Sequence, residues 1–216
     1  MNAVSLVQDI VATGVETWLC YVFCSVFLDV DFFKKRKCQF AFAASASVLI
    51  VEVADFFLPF SLGRSMISSM FVFYLFQVIL YRKYYVRCAA LSLFYMLMLA
   101  MSDFSILIVC SMTTGKPFDS FLSISVYRVI ATMIHTLVLS FVVYLIYHIS
   151  ENTFRMGRRY VISLLVLSIL ILVTTLLIFQ HFLSMGHIGL ADLSVWGMLV
   201  ALSLFSFFYI IRLART

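Results

Sequence analysis

The sequence contains long apolar runs that no charged side chain interrupts, such as LVLSILILVTTLLIF at positions 165–179. A helix that crosses the hydrocarbon core of a bilayer needs about 20 residues of this kind. Apolar residues make up 64% of the chain and charged residues only 12%, which is far from the balance of a water-soluble domain. Membrane barrels need short strands that alternate polar and apolar residues, and these runs do not alternate. The sequence therefore predicts an all-α integral membrane protein.

Seven runs are long and apolar enough to be membrane-spanning helices, so we predict one transmembrane domain over residues 1–216, a bundle of seven helices. Polar connections separate the first six runs, whereas the break between the last two depends on Gly186, Gly189 and Asp192. A six-helix bundle, in which the last two runs merge, is the alternative. The predicted helices are 5–28, 39–59, 64–81, 88–111, 121–149, 160–184 and 194–212.

Positive charge is concentrated on one predicted side of the bundle. Twelve of the 15 Lys and Arg residues lie in alternate connections or at the C-terminus, whereas the opposite side has only Arg64 and Lys116. Basic loops stay on the cytoplasmic side, so we predict an outside N-terminus, a cytoplasmic C-terminus and a multi-pass protein of the plasma membrane. Because these loops account for the net charge of +5, we expect no nucleic-acid partner. The predicted basic loops contain Lys34, Lys35, Arg36, Lys37, Arg82, Lys83, Arg87, Arg155, Arg158 and Arg159.

Several ionisable side chains interrupt the predicted spans, although each costs about 2.5–3.5 kcal/mol at a helix centre. Arg128 and His135 are seven residues apart and share one helix face with Thr132; Ser45 and Glu52 have the same spacing on the second span. Polar stripes of this kind must face protein or water. We therefore predict a polar cluster in the outer half of the bundle, formed by Glu16, Glu52, Asp55, Asp103, Arg128, Thr132 and His135.

Two interpretations of this predicted cluster remain open at the level of sequence. Arg128 can form an interhelical clamp with one of the acids, because polar contacts hold membrane helices together. Alternatively, the cluster binds a ligand. Four acids facing one arginine leave surplus negative charge, which indicates a cationic or hydrogen-bond-donating ligand, or carboxylates that stay protonated.

Recognisable catalytic and cofactor-binding motifs are absent from the sequence. The five cysteines form no C-x-x-C pair and no metal-ligand spacing, so we expect no metal, no cofactor and no enzymatic activity. One nucleophile–base set can still be assembled near the cytoplasmic edge from Cys38 or Cys88 with His148. It keeps a membrane cysteine peptidase as the third functional alternative.

The layout of the chain is similar to that of a known family of membrane sensors. A glutamate-bearing first span, VETWLCYVFCSVFL, leads to a basic loop, FFKKRK; the second span contains VLIVEVADFF, and the last ends in FFYIIRLAR. These features, with an outside N-terminus, resemble the membrane sensor region of peptide-pheromone histidine kinases of the accessory-gene-regulator type in Gram-positive bacteria. The sequence departs from that family in having no phosphoacceptor histidine and no ATP-binding domain. The resemblance implies a quorum-sensing protein of the bacterial inner membrane, and it assigns no individual site residue.

The first functional hypothesis is therefore a non-catalytic receptor that binds a small extracellular peptide or amphiphile in a polar outer cavity. It would signal through the last helix to a cytoplasmic partner or a second copy of the chain. The alternative is a small-molecule carrier, such as the substrate-binding subunit of an importer, because such subunits are also small, helical and without an ATPase.

Overall fold

The computed structural model describes residues 3–57, 62–82, 84–116, 126–149, 158–185 and 190–215. Every regular element in these ranges is a helix, so the all-α prediction is confirmed for this part of the chain. One short helix, α2, follows the first long one. The helices are α1 (Ala3–Leu28), α2 (Val30–Lys35), α3 (Lys37–Phe57), α4 (Leu62–Tyr81), α5 (Tyr85–Thr114), α6 (Val126–Ile149), α7 (Arg158–Met185) and α8 (Leu190–Arg215).

Five of these helices are long and apolar enough to cross a membrane, which supports a membrane protein. The qualifying segments of α1, α3, α5, α6 and α7 are Ile10–Leu28, Lys37–Ala54, Tyr85–Thr114, Val126–His148 and Tyr160–His181. Helices α4 and α8 contain shorter apolar segments, Ser68–Tyr81 and Asp192–Ser206. The number of spans and their orientation therefore remain predictions.

Helices α7 and α8 are separate helices. Nε2 of His181 lies 3.8 Å from Oδ1 of Asp192. In one continuous helix, residues eleven apart would be about 16 Å apart along the axis. The chain therefore reverses between these residues, as Gly186 and Gly189 led us to predict. Residues 186–189 themselves lie outside the described ranges.

Two helices, α1 and α5, organise the bundle. Helix α1 contacts α3, α4, α5 and α6, and α5 contacts α1, α4, α6 and α7. Consecutive members of the series α3, α4, α5 and α6 also contact one another. Helix α8 packs against α7. The series α3 to α6 thus surrounds one side of α1, and α7 lies against α5.

Aromatic packing joins α1 to α5 near the middle of the bundle. The ring of Phe23 lies 6.1 Å from that of Phe94 and 5.8 Å from that of Tyr95. The Tyr95 hydroxyl donates a 2.6 Å hydrogen bond to the backbone carbonyl of Glu16. Lipid tails are as apolar as these side chains, so van der Waals packing and hydrogen bonds, rather than the hydrophobic effect, hold such helices together.

Helix α2 closes the end of the bundle where the basic residues lie. The Asp29 carboxylate caps it by accepting a 2.8 Å hydrogen bond from the amide of Phe32. Phe33 is buried, and the ring of Phe32 lies 5.2 Å from that of Tyr81 at the end of α4. Its lysines remain exposed, so α2 presents an apolar face to the bundle and a charged face away from it. We call this end of the molecule the basic end.

Six of the predicted loop cations are described, and all lie at the basic end. Lys34, Lys35, Arg36, Lys37 and Arg82 are exposed, whereas Arg87 is half-buried. Arg36 stacks on the ring of Phe32, with its Cζ 4.7 Å from the ring centroid. Lys83 and Arg155, and the side chains of Arg158 and Arg159, lie outside the described part of the structure.

Trp196 of α8 is buried against α5 rather than placed at the surface of the bundle. Only 4% of it is exposed, and its indole Nε1 donates a 3.0 Å hydrogen bond to Oγ of Ser105 on α5. Its ring meets Phe104 edge to face at 5.9 Å, and Phe104 stacks on Phe179 of α7 at 4.2 Å. Trp196 is therefore the residue that ties α8 to α5 and α7.

We predict that the Trp196–Ser105 hydrogen bond contributes to folding stability. Trp196→Phe keeps an aromatic ring but removes the donor, and Ser105→Ala removes the acceptor. Each change should lower the free energy of unfolding, and the double variant should lose less than the sum, with a coupling energy of about 0.6 kcal/mol. Denaturant titration in detergent measures these values. Additive losses would show that the two groups do not interact.

Candidate functional site

Packing is tighter near the basic end than in the other half of the bundle, which we call the distal half. On α5, Cys88 and every residue from 90 to 97 are buried, whereas residues 98 to 106 include six that are only half-buried. On α1, Cys20 is buried, with most residues that follow it to Phe27, whereas residues 12 to 16 are half-buried. The distal half therefore buries its side chains less completely than the basic end does.

Glu16 belongs to the inward face of α1. Steps of four, three and four residues connect it to Cys20, Phe23 and Phe27, which are almost completely buried. The Glu16 side chain nevertheless keeps 21% of its surface exposed. Because its helix face points into the bundle, this carboxylate faces the less densely packed interior of the distal half.

His135 of α6 is the nearest ionisable partner of Glu16. Its Nε2 lies 3.4 Å from Oε1 of Glu16, and only 3% of the His135 side chain is exposed. This is an ion-pair distance, but its geometry does not meet that of a hydrogen bond, and neither ring nitrogen has a hydrogen-bond partner among the described residues. The imidazole is thus buried beside a carboxylate with unused hydrogen-bonding capacity.

Asp103 of α5 completes a group of ionisable residues on three helices. Its carboxylate interacts electrostatically with His135 and Arg128, which attract it, and with Glu16, which repels it. Arg128 lies two turns before His135 on α6 and is half-buried. The structure therefore places Arg128 in the field of Asp103 and pairs Glu16 with the imidazole. Of the seven residues of the predicted cluster, we call these four, Glu16, Asp103, Arg128 and His135, the polar cluster from here on.

The depth of the polar cluster follows from helix geometry. Glu16 is 12 residues from the last residue of α1, Leu28, and Asp103 is 18 residues from the first residue of α5, Tyr85. At about 1.5 Å per residue, Glu16 lies roughly 18 Å from the end of α1, and Asp103 lies roughly 27 Å from the start of α5. A hydrocarbon core of about 30 Å would place them between its middle and the far interface.

Of the other predicted site residues, Glu52 and Thr132 lie beside the polar cluster, and the Asp55 side chain lies outside the part of the chain that the structure describes. Glu52 of α3 accepts a 2.9 Å hydrogen bond from the hydroxyl of Thr13, so it is held by α1. Thr132 is half-buried, and its backbone carbonyl accepts a hydrogen bond from Thr136. The backbone of Asp55 continues α3, but its side chain is outside the described part.

Ser45 does not join the inward polar stripe that its spacing with Glu52 predicts. It is exposed, and its hydroxyl donates a 3.0 Å hydrogen bond to the carbonyl of Ala41 one turn earlier. A serine satisfied in this way can face lipid, because its donor is used within its own helix. Spacing alone therefore did not identify which polar residues turn inward.

Sequence reasoning missed two polar residues that connect α1 to its neighbours. One is Tyr95, described above. The other is Gln77, which is fully buried on α4 and donates from Nε2 to Sγ of Cys24 at 3.1 Å and of Cys20 at 3.5 Å. An amide in the apolar run FVFYLFQVIL was a detectable signal, because an uncharged polar residue in a span also needs a partner.

The residues of the peptidase alternative occupy different environments. Cys88 is buried in an aromatic cluster at the basic end, whereas Cys38 is exposed. His148 is also exposed, and its ring stacks on Tyr144 of the same helix at 6.0 Å. Within the described residues, none of the three hydrogen-bonds to another, and no group of three or more His, Cys, Asp or Glu is arranged to hold a metal.

A comparison with known protein families, with characterised proteins and with solved structures finds no match for the chain. The resemblance to peptide-pheromone sensors therefore stays a prediction. The proposed function therefore rests on the geometry of the polar cluster.

We predict that Glu16 and His135 are energetically coupled. Glu16→Gln and His135→Asn should each destabilise the bundle, and the double variant should show a coupling energy of about 0.5–3 kcal/mol, because the two side chains are in contact. The matched control is Asp192→Asn, which removes an acid at the α7–α8 junction and should add to His135→Asn without coupling. Unfolding measured in detergent tests both pairs. If the Asp192→Asn/His135→Asn pair showed the same coupling energy as the Glu16→Gln/His135→Asn pair, a direct Glu16–His135 interaction would be contradicted.

Proposed function

We propose that this protein is a non-catalytic membrane receptor that binds a small extracellular peptide or amphiphile in the distal half of the bundle. The observation that carries the proposal is the convergence of Glu16, Asp103 and His135, from α1, α5 and α6, in the less densely packed half. Ionisable groups are costly in a membrane and commonly mark functional sites there. A purely structural clamp would satisfy its members, whereas here both ring nitrogens of the buried His135 lack a hydrogen-bond partner among the described residues.

The proposed topology places this site on the extracellular side. Helix α4 has 20 residues and α8 has 26, so either can span about 30 Å, and all seven long helices would then cross the membrane. Six described cations of the predicted basic loops share one end of the bundle, and among described basic loop residues only Lys116 lies at the other, which supports a cytoplasmic basic end and a distal half that faces outward. The proposed location is the plasma membrane of a bacterium, as in the sensors that the sequence resembles.

A physical connection runs from the polar cluster to the last helix. Ser105 lies two residues after Asp103 on α5 and accepts the hydrogen bond from Trp196 of α8. A ligand that displaces Asp103 would shift this part of α5 and change the packing around Trp196. Helix α8 would transmit the change to its basic end, where Arg212 and Arg215 can meet a cytoplasmic partner or a second copy.

A carrier is the second candidate, because transporters bind substrate and coupling ions near the middle of the bilayer, and Glu16 lies at that depth. The two functions differ in one measurable respect. A carrier moves its ligand into sealed proteoliposomes, whereas a receptor binds it without accumulation.

We predict that the basic end is cytoplasmic. In intact spheroplasts, a membrane-impermeant thiol reagent should leave the exposed Cys38 unmodified until the membrane is permeabilised. A Thr114→Cys variant made in a Cys38→Ser background should react from outside, because Thr114 ends α5 at the opposite end of the bundle. Reaction of Cys38 in intact spheroplasts would reverse the orientation.

We predict that ligand binding protects α1 and α6 around the polar cluster. Hydrogen–deuterium exchange of the full chain in nanodiscs, with and without a panel of small apolar peptides and amphiphiles, should show slower exchange around residues 12–16 and 128–135 for a ligand. Glu16→Gln should lose this protection, whereas Asp192→Asn, which also removes one acid, should keep it. Protection that survives Glu16→Gln and appears elsewhere would place the binding site outside the polar cluster.

A further inference from the structure

We propose that the polar cluster binds one primary ammonium group of a small amphiphilic ligand, and that a proton on His135 takes its place when the site is empty. This inference rests on the proposed receptor function, and it names the ligand chemistry of that site. The amino terminus of a short apolar peptide and the head of an alkylamine share this chemistry.

The number of hydrogen-bond acceptors matches an ammonium group. A primary ammonium has three N–H donors and no acceptor. The polar cluster offers one acceptor from each of three helices: a carboxylate oxygen of Glu16, the carboxylate of Asp103 and one ring nitrogen of neutral His135. Glu16 and His135 already approach to 3.4 Å, so one small group can contact both.

His135 supplies an independent indication of a ligand. It is almost completely buried, yet both of its ring nitrogens lack a hydrogen-bond partner among the described residues. Leaving a buried polar group unsatisfied is destabilising.

The charge balance of the polar cluster requires one further positive charge. With ionised carboxylates, Glu16 and Asp103 contribute two negative charges and Arg128 one positive charge, so neutral His135 leaves a net charge of −1. Because an unbalanced charge is costly in the membrane interior, the polar cluster should hold one cation at a time.

Ligand and proton therefore compete for the same site. When the ammonium enters, the proton on His135 leaves to solvent, and the neutral imidazole accepts a hydrogen bond from the ligand. The total charge of the polar cluster with its occupant is unchanged. Affinity for the ammonium should consequently fall by up to about tenfold for each unit by which the pH drops below the ionisation of His135.

Three matched probes test this inference on the full chain in phosphatidylcholine nanodiscs. They are octylamine, N-acetyl-octylamine, which has lost the charge, and octyltrimethylammonium, which keeps the charge but has no N–H donor. Thermal unfolding is followed with a thiol-reactive dye in a background with Cys38→Ser and Cys110→Ala, because the remaining Cys20, Cys24 and Cys88 are buried until the bundle opens. Octylamine at ten times its Kd should raise the midpoint by about 3–6 °C, and the other two probes should not.

Variants of the polar cluster test whether octylamine binds there, and a change of lipid tests whether a headgroup supplies the ammonium. Glu16→Gln and Asp103→Asn should each abolish the octylamine shift, whereas Asp192→Asn should retain it. A tri-leucine amide should act like octylamine, and its N-acetylated form should not. Stabilisation by phosphatidylethanolamine in place of phosphatidylcholine, with no further shift on adding octylamine, would identify a lipid headgroup rather than a free amphiphile as the source of the ammonium.

The outcomes separate this inference from the receptor proposal. If all three probes stabilise equally and Glu16→Gln abolishes the effect, an amphiphile site exists but ammonium recognition is wrong. The inference is overturned if octylamine raises the unfolding midpoint of Glu16→Gln and Asp103→Asn as much as that of the unchanged protein. It is also overturned if the affinity for octylamine does not fall at low pH. If neither the alkyl probes nor the tri-leucine peptides bind at any pH between 5 and 9, both proposals fail.

Discussion

In a bilayer interior no water is present to satisfy polar groups, and this constraint explains how α1 is held. Each helix of the series α3 to α6 makes a polar contact with α1: Glu52 accepts from Thr13, Gln77 donates to Cys24, the Tyr95 hydroxyl donates to the Glu16 carbonyl, and His135 faces the Glu16 carboxylate. Apolar surface alone would not choose between these neighbours, because lipid tails offer equivalent contacts. The polar contacts therefore specify the order of helices around α1, and the aromatic rings fill the space between them.

The same constraint divides the bundle into two unlike halves. Near the basic end the polar contacts are neutral and fully buried, as with Gln77, and the packing around them is dense. In the distal half the groups are ionisable, and Glu16 keeps part of its surface accessible. Neutral pairs can be enclosed at little cost, whereas a charged group is destabilising unless something compensates it. This difference is the physical reason for assigning stability to one half and ligand recognition to the other.

Most of the helical architecture could be predicted from sequence, because a span of about 20 apolar residues has few alternative structures in lipid. The predicted polar residues were harder to assign, since spacing shows which residues share a face but not which neighbour that face meets. Ser45 satisfies itself on its own helix, whereas Glu16 pairs with His135 although Arg128 carries the permanent charge. Tryptophan is common at membrane interfaces, so composition alone would not predict that Trp196 packs inside the bundle. Which polar residues pair depends on which helices are neighbours, and that arrangement cannot be read from a single sequence.

The helix order also determines how a change in the polar cluster can reach the last helix. Helix α5 contributes Asp103 to the polar cluster, and two residues later Ser105 bonds to Trp196 of α8; between them, Phe104 stacks on Phe179 of α7. These three consecutive interactions occupy less than one turn of α5. A rotation of α5 that follows ligand contact with Asp103 would therefore alter its contacts with both α7 and α8. The route from ligand to output should consequently run through α5, so a change at Ser105 should uncouple the last helix while leaving binding intact.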